Sequence, residues 1–151
     1  MEYLDDPSIQ QAIRNNMTET YNFTQLFEWE HKYLHWVDIG EIENRTLDPR
    51  EILKSEKGHC GEFSLVYLTA CLSLGYQARW MVSVRPFNYS GLHNWVEVMY
   101  NGSWVHVDPT EKIWDNPSMY SDRDWWGVIG RDALVFAFEK GKFKDVTSKY
   151  M

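Results

Sequence analysis

The sequence predicts an α+β fold in which a central helix packs on an antiparallel β-sheet. Apolar residues recur at helical spacing in two segments, residues 24–37 and 63–74. From residue 77 onward the pattern changes to the alternation of strands, interrupted by turn residues. With 151 residues, of which 44% are hydrophobic, the chain is long enough to bury a core. We therefore expect residues 1–151 to form a single domain.

The N-terminal part of the chain predicts three helices. Residues 9–20 are mostly polar and predict a peripheral first helix within residues 1–20. Residues 24–37 predict an amphipathic helix, and Trp36 near its end is interpreted as a core residue because large aromatic side chains on apolar stripes usually are. Asp48 and Pro49 are typical of a helix cap and first helical position, which predicts a short helix over residues 49–55.

A longer helix is predicted to begin at or just after Cys60 and to stop at Gly75. A cysteine at a helix start lies beside unpaired backbone N–H groups and the positive end of the helix dipole, which favour the thiolate form. The alternative is that Cys60 is a small buried hydrophobic residue, as most free cysteines are. One face of this helix is predicted to be apolar, formed by Phe63, Val66, Tyr67, Ala70, Cys71 and Leu74.

The C-terminal part predicts strands. Residues 77–84 predict a strand and residues 86–91 a loop. Residues 93–100 and 103–108 predict a hairpin, because Asn101-Gly102 between them tolerates the positive φ angles of a tight turn. Residues 109–130, with Trp125 and Trp126, predict an ordered aromatic loop with short helical turns. Residues 132–139 and 143–147, joined at Lys140-Gly141, predict a second hairpin.

The first hairpin also predicts which side chains meet. With Asn101-Gly102 as the turn, Glu97 pairs with His106 and Trp95 with Asp108, so His93 lies diagonal to Asp108 at about 7 to 8 Å between Cβ atoms. One face then carries His93, Trp95, Glu97, Met99, Trp104, His106 and Asp108. We expect this face to pack over the start of the Cys60 helix. The alternative is that His93 and Asp108 are loop-end residues and His106 a surface residue.

A helix-borne Cys followed by a strand-borne His and Asp is the order of a thiol acyl-transfer triad. In such a site the imidazole exchanges a proton with the thiol and later protonates the leaving nitrogen, and the carboxylate fixes the tautomer of the ring. The sequence therefore predicts attack on amide or ester carbonyls by Cys60, with His93 and Asp108 as its partners.

Three motifs carry a resemblance to a known family. They are Gly58-His59-Cys60-Gly61, His93-Asn94-Trp95-Val96-Glu97 and Trp104-Val105-His106-Val107-Asp108-Pro109-Thr110. In this order they resemble the transglutaminase-like superfamily, which has the fold of papain-like cysteine proteases. Within it, the chain is most similar to the catalytic core of the peptide:N-glycanases, amidases that remove N-linked glycans from misfolded glycoproteins. That closer likeness rests on Leu26-Phe27-Glu28-Trp29, Gly75-Tyr76-Gln77-Ala78-Arg79, Asp115-Asn116-Pro117-Ser118-Met119-Tyr120 and Asp145-Val146-Thr147.

The resemblance implies a glycan-asparagine amidase with Cys60, His93 and Asp108 as the triad. It implies that the cleft is shaped and charged by Arg79, Trp95, Glu97, Trp104 and Glu111, and that Trp36 helps to bind the oxyanion. The substrate would be a glycoprotein or peptide amide, and no cofactor would be needed. The same acyl-enzyme would serve a transglutaminase or a peptidase, and a catalytically idle module that binds protein or glycan is the remaining alternative.

Composition limits the partners. The net charge of -7 argues against nucleic acid as a partner. No apolar run is long enough to cross a membrane, and residues 1–10 are unlike a secretory signal, so a cytoplasmic location is expected. Cys60 and Cys71 are too far apart on one helix for a disulfide and too few for a thiolate zinc site, although the resembling family carries a zinc module where this chain has residues 38–47. We expect no metal, and the oligomeric state is left open.

Overall fold

The computed structural model describes residues 23–121 and 133–150. The helix predicted over residues 9–20 lies outside this range, as do Trp125 and Trp126 of the predicted aromatic loop. Its helices are α1 (Phe23–Tyr33), α2 (Pro49–Ser55) and α3 (Cys60–Ser73). Its strands are β1 (His35–Trp36), β2 (Lys57–Gly58), β3 (Ala78–Val84), β4 (Gly91–Tyr100), β5 (Ser103–Asp108), β6 (Ile113–Trp114), β7 (Leu134–Glu139) and β8 (Lys142–Asp145). Short 3-10 helices cover Ile39–Glu41, Pro117–Ser121 and Thr147–Tyr150.

Six of the strands form one sheet in the order β6-β5-β4-β3-β7-β8, with every neighbouring pair antiparallel. The α1 and α3 helices share a core with one face of this sheet, through residues such as Val96, Val98 and Val107. The predicted α+β class, with the Cys60 helix packed on an antiparallel sheet, is confirmed. The short strands β1 and β2 pair in parallel away from the main sheet.

Both predicted hairpins are present, and the first has the predicted register. Tyr100 pairs with Ser103 and Glu97 with His106, while Asn101 and Gly102 take φ angles of 50° and 82°. Two successive positive φ angles give the turn that matches the right-handed twist of the strands. Lys140 and Gly141, with φ angles of 50° and 77°, join β7 to β8 in the same way. In this second hairpin, the strand predicted over residues 143–147 is β8 (Lys142–Asp145), so its boundaries were wrong. The cap of α2 is also as predicted, with Asp48 Oδ1 accepting the Arg50 N–H at 2.9 Å.

The helix predicted over residues 24–37 ends earlier, at Tyr33, so its C-terminal boundary was wrong. After Leu34 the backbone turns to pair with β2: the His35 N–H donates to the Glu56 carbonyl at 2.8 Å and the Val37 N–H to the Gly58 carbonyl at 2.9 Å. Trp36 therefore lies on a strand and is 50% exposed, so the interpretation of Trp36 as a core residue was also wrong.

The α3 helix is buried on almost every side, which corrects the prediction of a single apolar face. Of its 14 residues, 13 are buried. The sheet covers one side, while α1 and α2 cover others; the Tyr67 hydroxyl, for example, donates to the Phe23 carbonyl of α1 at 2.9 Å. A helix enclosed in this way is apolar all round and loses the one-sided pattern of a surface helix.

The two faces of β4 have different roles. Alternate residues Val96 and Val98 face the body of α3. The opposite face carries Trp95 in a second apolar cluster that includes Met81, Met119, Tyr120, Val135, Ala137 and Tyr150. The expectation that the whole His93 and Trp95 face packs over the start of α3 was therefore wrong. Of this face, His93 contacts the side chain of Cys60 at the tip of the helix.

The segment after β5 contains more structure than predicted. Strand β6 pairs with β5, with Val107 opposite Trp114 and Asp108 opposite Ile113. The Asp115 N–H then donates to the His106 carbonyl at 2.7 Å before the 3-10 helix Pro117–Ser121 begins. This return of the chain places the 3-10 helix against the face of the sheet that carries Trp95.

Candidate active site

The start of α3 is fixed by packing and by a carboxylate. Cys60 is the first residue of the helix and His59 its cap. Glu62 Oε1 accepts the His59 N–H at 3.0 Å, and Glu62 Oε2 accepts Nε–H of Arg45 at 3.2 Å. A Cβ at Gly58 would lie 2.9 Å from the Glu62 Cβ and 3.1 Å from the Leu34 Cδ2, so only glycine allows this close approach.

His93 lies between the other two predicted triad residues. Its Nε2 is 2.8 Å from Asp108 Oδ2, and its ring also hydrogen-bonds the Cys60 side chain. Because Asp108 engages Nε2, Nδ1 is the ring nitrogen available to the sulfur. Asp108 is fully buried, His93 is 5% exposed and Cys60 is 8% exposed. The structure thus brings together the helix-borne thiol, the imidazole and the carboxylate.

The protonation of this group follows from its contacts. Burial lowers the pKa of His93, but the hydrogen bonds and charges of Asp108 and Cys60 outweigh it and raise that pKa to about 9. Burial alone would raise the pKa of Asp108, but the hydrogen bond and charge of His93, together with the Tyr120 hydroxyl, hold it below its usual value. At neutral pH the pair is therefore an imidazolium and a carboxylate.

Two residues that the sequence analysis did not assign to the site lie beyond Asp108: Tyr120 contacts the carboxylate, and His106 contacts Tyr120. The Tyr120 hydroxyl donates to Asp108 Oδ2 at 2.7 Å, and His106 Nε2 lies 2.8 Å from the same hydroxyl. His106 is fully buried, so its alternative interpretation as a surface residue was wrong. The Asp115 to Tyr120 stretch, noted only as part of a family resemblance, was the available signal for Tyr120.

Three of the residues expected to form a charged cleft, namely Arg79, Trp95 and Glu97, form a buried network instead. Arg79 Nε donates to Glu97 Oε1 at 2.8 Å, while Lys149 Nζ and the Tyr150 hydroxyl each donate to Glu97 Oε2 at 2.6 Å. Trp95 Nε1 donates to the Tyr150 hydroxyl at 3.0 Å. Trp95 and Glu97 are fully buried and Arg79 is 5% exposed, so these three do not wall an open groove. A buried carboxylate needs partners of this kind, and Arg79 and Lys149 supply the opposite charge.

Three of the predicted cleft residues are accessible. Trp36 stands beside the start of α3, with its ring 5.2 Å from the ring of His59 between centroids. Glu111 has an exposed side chain, and its backbone N–H donates to Asp108 Oδ1 at 3.2 Å. Trp104 is partly buried under the Arg79 guanidinium, whose Cζ lies 4.2 Å from the ring centroid.

Within residues 23–121 and 133–150, no three His, Cys, Asp or Glu side chains are grouped in a way that could hold a metal ion. No helix in the same ranges has the length and apolar character needed to span a bilayer.

Comparison with known proteins defines the class of this chain. Residues 7–109 match the family model of the transglutaminase-like superfamily. The chain therefore belongs to that superfamily, and the matched range includes Cys60, His93 and Asp108.

Similar proteins within the family are amidases by name. Proteins from Oryza sativa subsp. japonica and Gallus gallus, each called peptide-N(4)-(N-acetyl-beta-glucosaminyl)asparagine amidase, are both 34% identical to this chain. The matches cover 68% and 70% of this chain but only 21% and 15% of those relatives. The chain thus spans about a fifth or less of the length of these relatives.

Solved structures share the fold at low sequence identity. A structure described as a proposed cysteine protease from Cytophaga hutchinsonii has a TM-score of 0.57 and 13% identity, covering 97% of this chain and 53% of that one. A Rad4-Rad23 complex bound to a 6-4 photoproduct lesion has a TM-score of 0.68 and 14% identity, covering 99% of this chain and 45% of that one. At these identities the likeness shows the fold alone.

Proposed function

We propose that this chain is the catalytic core of a thiol amidohydrolase of the peptide:N-glycanase type, which hydrolyses the amide bond between an N-linked glycan and its asparagine. The observation that carries the proposal is the position of His93, whose Nε2 lies 2.8 Å from Asp108 while its ring hydrogen-bonds Cys60 at the start of α3. The names of the relatives support the choice of substrate class. The cytoplasmic location expected from the sequence is part of the same proposal.

In the first half of the reaction, the sulfur of Cys60 attacks the carbonyl carbon of the asparagine side-chain amide. The pair of electrons of the C=O bond moves to oxygen and then returns as the C–N bond breaks. His93, protonated at neutral pH, gives its Nδ1 proton to the leaving glycosylamine nitrogen. The products of this half are a thioester on Cys60 and the glycan with a free amine.

In the second half, water replaces the departed amine. Neutral His93 takes a proton from the water, whose oxygen attacks the thioester carbonyl and displaces the sulfur. The former asparagine leaves as an aspartic acid side chain, which releases its proton to solvent to become aspartate, and the thiolate and imidazolium are restored. Asp108 keeps its charge throughout and holds the ring in one tautomer, with the proton on Nε2 directed at Oδ2.

The developing oxyanion would be bound at the start of α3. The first N–H groups of a helix have no intrahelical acceptor and point out of its N-terminal end, where they can donate to an oxyanion. Trp36 is half exposed beside this end of the helix, and its indole N–H is the side-chain donor proposed to complete the site.

The test is mass spectrometry of a denatured glycoprotein incubated with the chain. Hydrolysis would convert glycosylated Asn to Asp with loss of the intact glycan, and Cys60→Ala would abolish the conversion. Peptide-bond cleavage would point to a peptidase instead, and transfer to an added primary amine would point to a transglutaminase. If the parent chain and Cys60→Ala both bind glycopeptide without any product, the proposal is wrong and a binding module is left.

A further inference from the structure

The Asp108 carboxylate receives more donors than a catalytic triad supplies. His93 Nε2 and the Tyr120 hydroxyl both lie within 2.8 Å of Oδ2, and the Glu111 N–H lies 3.2 Å from Oδ1. Tyr120 is 5% exposed, and its ring packs on that of Trp95 with 4.6 Å between centroids. The hydroxyl is therefore held in place by its ring as well as by its hydrogen bonds.

The hydrogen-bond geometry determines which atoms carry the protons between His106 and Asp108. The Asn116 N–H donates to His106 Nδ1 at 3.2 Å, so Nδ1 carries no proton. His106 Nε2 must then carry the proton of the neutral ring and donate it to the Tyr120 oxygen at 2.8 Å. The Tyr120 hydroxyl in turn donates to Asp108 Oδ2. Burial lowers the pKa of His106 to about 4, in agreement with a neutral ring.

We propose that Tyr120 and His106 are positioning residues for this reaction, forming a one-directional chain of hydrogen bonds from His106 through Tyr120 to Asp108 that aligns the carboxylate with His93. The inference rests on the proposed function, since it assigns a role to Asp108 in catalysis. Neither residue touches the substrate. His106 acts only through the Tyr120 hydroxyl, and Tyr120 only through Asp108 Oδ2.

The segment after β5 places His106 and Tyr120 for this positioning role. Strand β6 and the Asp115 N–H hold the returning chain against β5 at His106. The Asn116 N–H then selects the tautomer of His106, and the 3-10 helix that follows delivers Tyr120 to the carboxylate. Without the two donors at Oδ2, a fully buried carboxylate would lose hydrogen bonds to its charged form, which contribute more than neutral ones.

Two substitutions of His106 separate its two hydrogen bonds. In His106→Gln, the side-chain amide nitrogen can replace Nε2 as donor to Tyr120. In His106→Asn, the shorter side chain can replace Nδ1 as acceptor for the Asn116 N–H, but it does not reach Tyr120. Tyr120→Phe removes the hydroxyl and keeps the ring. Tyr89→Phe, at a residue that is 64% exposed on the β3–β4 loop, is the matched control.

Two readouts are needed for each variant. The first is the pH profile of Cys60 alkylation by iodoacetamide, which reports the protonation of the Cys60 and His93 pair and requires no substrate. The second is kcat on a glycopeptide. We expect Tyr120→Phe and His106→Asn each to lower kcat about tenfold and to displace the alkylation profile, since hydrogen bonds to charged groups are strong. His106→Gln should lower kcat much less.

The double variant gives the decisive comparison. Because His106 acts through Tyr120, Tyr120→Phe combined with His106→Asn should be no slower than Tyr120→Phe alone. Losses that multiply, or a Tyr120→Phe alkylation profile that superimposes on those of the parent and Tyr89→Phe, would overturn the proposal. If the parent cleaves no glycopeptide, the proposed function fails, while the alkylation profiles still decide whether the chain of hydrogen bonds acts on the thiol and imidazole.

Discussion

A single buried carboxylate, that of Asp108, holds the imidazole of His93 in one orientation. An asparagine at this position has the same shape but offers only one acceptor atom in place of two. His93 and Tyr120 share Oδ2, whereas the Glu111 N–H donates to Oδ1. An asparagine would therefore either set its own NH2 group against the Glu111 N–H or present that group to both His93 and Tyr120, which favours the wrong tautomer of the His93 ring.

Asp108→Asn should therefore lower kcat about 10³- to 10⁴-fold while changing KM little, as expected for a residue that orients the base. The measurement is steady-state kinetics on a glycopeptide, with circular dichroism to verify folding. Asp115→Asn is the control, because this residue is exposed and its positive φ of 55° suits asparagine. A fully active Asp108→Asn variant would show that the carboxylate has no role in catalysis.

The two cysteines should differ sharply in reactivity. Cys71 is fully buried in the core, and burial together with the nearby Glu30 raises the pKa of its thiol. Cys60 lies at the tip of α3 beside His93. Alkylation of the folded protein at neutral pH, followed by peptide mapping, should modify Cys60 and leave Cys71 intact, and both should react after unfolding. Equal rates in the folded protein would contradict the assignment of Cys60 as the nucleophile.

The β4–β5 hairpin aligns His93 with Asp108, and its register depends on the Asn101-Gly102 turn. Gly102 has a φ of 82°, and an added Cβ would meet no atom within 4 Å, so any cost of a side chain there is purely conformational. Gly91, at the other end of β4, also has free space around its Cβ position, but its φ is not in the left-handed region.

Gly102→Ala should consequently lower the free energy of unfolding by about 1 to 2 kcal/mol. Gly91→Ala should have a much smaller effect. Urea denaturation of the two variants beside the parent makes the comparison. Equal loss in both would mean that backbone conformation at the turn does not limit the stability of the hairpin.

The hairpins and the helix at Cys60 could be predicted because their signals are local: alternation, Asn-Gly and Lys-Gly turns, and helical spacing. The end of α1 could not be predicted, because it depends on the pairing of His35 with Lys57, which is remote in sequence. The alternation of the strand placed His106 on the correct face of the hairpin but did not indicate its hydrogen-bond partner. Its partner Tyr120 comes from a segment without periodicity, so their contact is visible only in three dimensions.

The core of the molecule contains a carboxyl group, that of Glu30 on α1, which is fully buried beside Tyr67 and Cys71 of α3. Burial raises the pKa of Glu30 well above its usual value, so the group stays protonated in the folded protein. In the unfolded chain it ionises at about pH 4.3. Its contribution to stability is thus fully present below that pH and is lost as the pH rises toward the folded pKa.

Glu30→Gln removes this ionisation from the unfolded state and should raise the melting temperature at pH 7. Each unit of difference between the folded and unfolded pKa is worth about 1.4 kcal/mol, or roughly 3 to 6 °C for a domain of this size. At pH 4 the gain should be small. Calorimetry at both pH values, with the exposed Glu28→Gln as control, tests this. A gain that is the same at both pH values would rule out ionisation of Glu30 as the cause.

The buried contacts of Glu97 with Lys149 and Tyr150 also have a consequence for folding during synthesis. Glu97 lies on the strand of His93, but Lys149 and Tyr150, which bind its Oε2, follow it by 52 and 53 positions in the chain. On a ribosome this strand emerges well before its partners, so its carboxylate has to stay hydrated until they follow. In ribosome-bound chains arrested before Lys149, the thiol of Cys60 should react like that of an unstructured peptide, and it should acquire its native alkylation rate only after Tyr150 leaves the exit tunnel. The candidate site would thus stay unassembled until the chain has been synthesised through Tyr150.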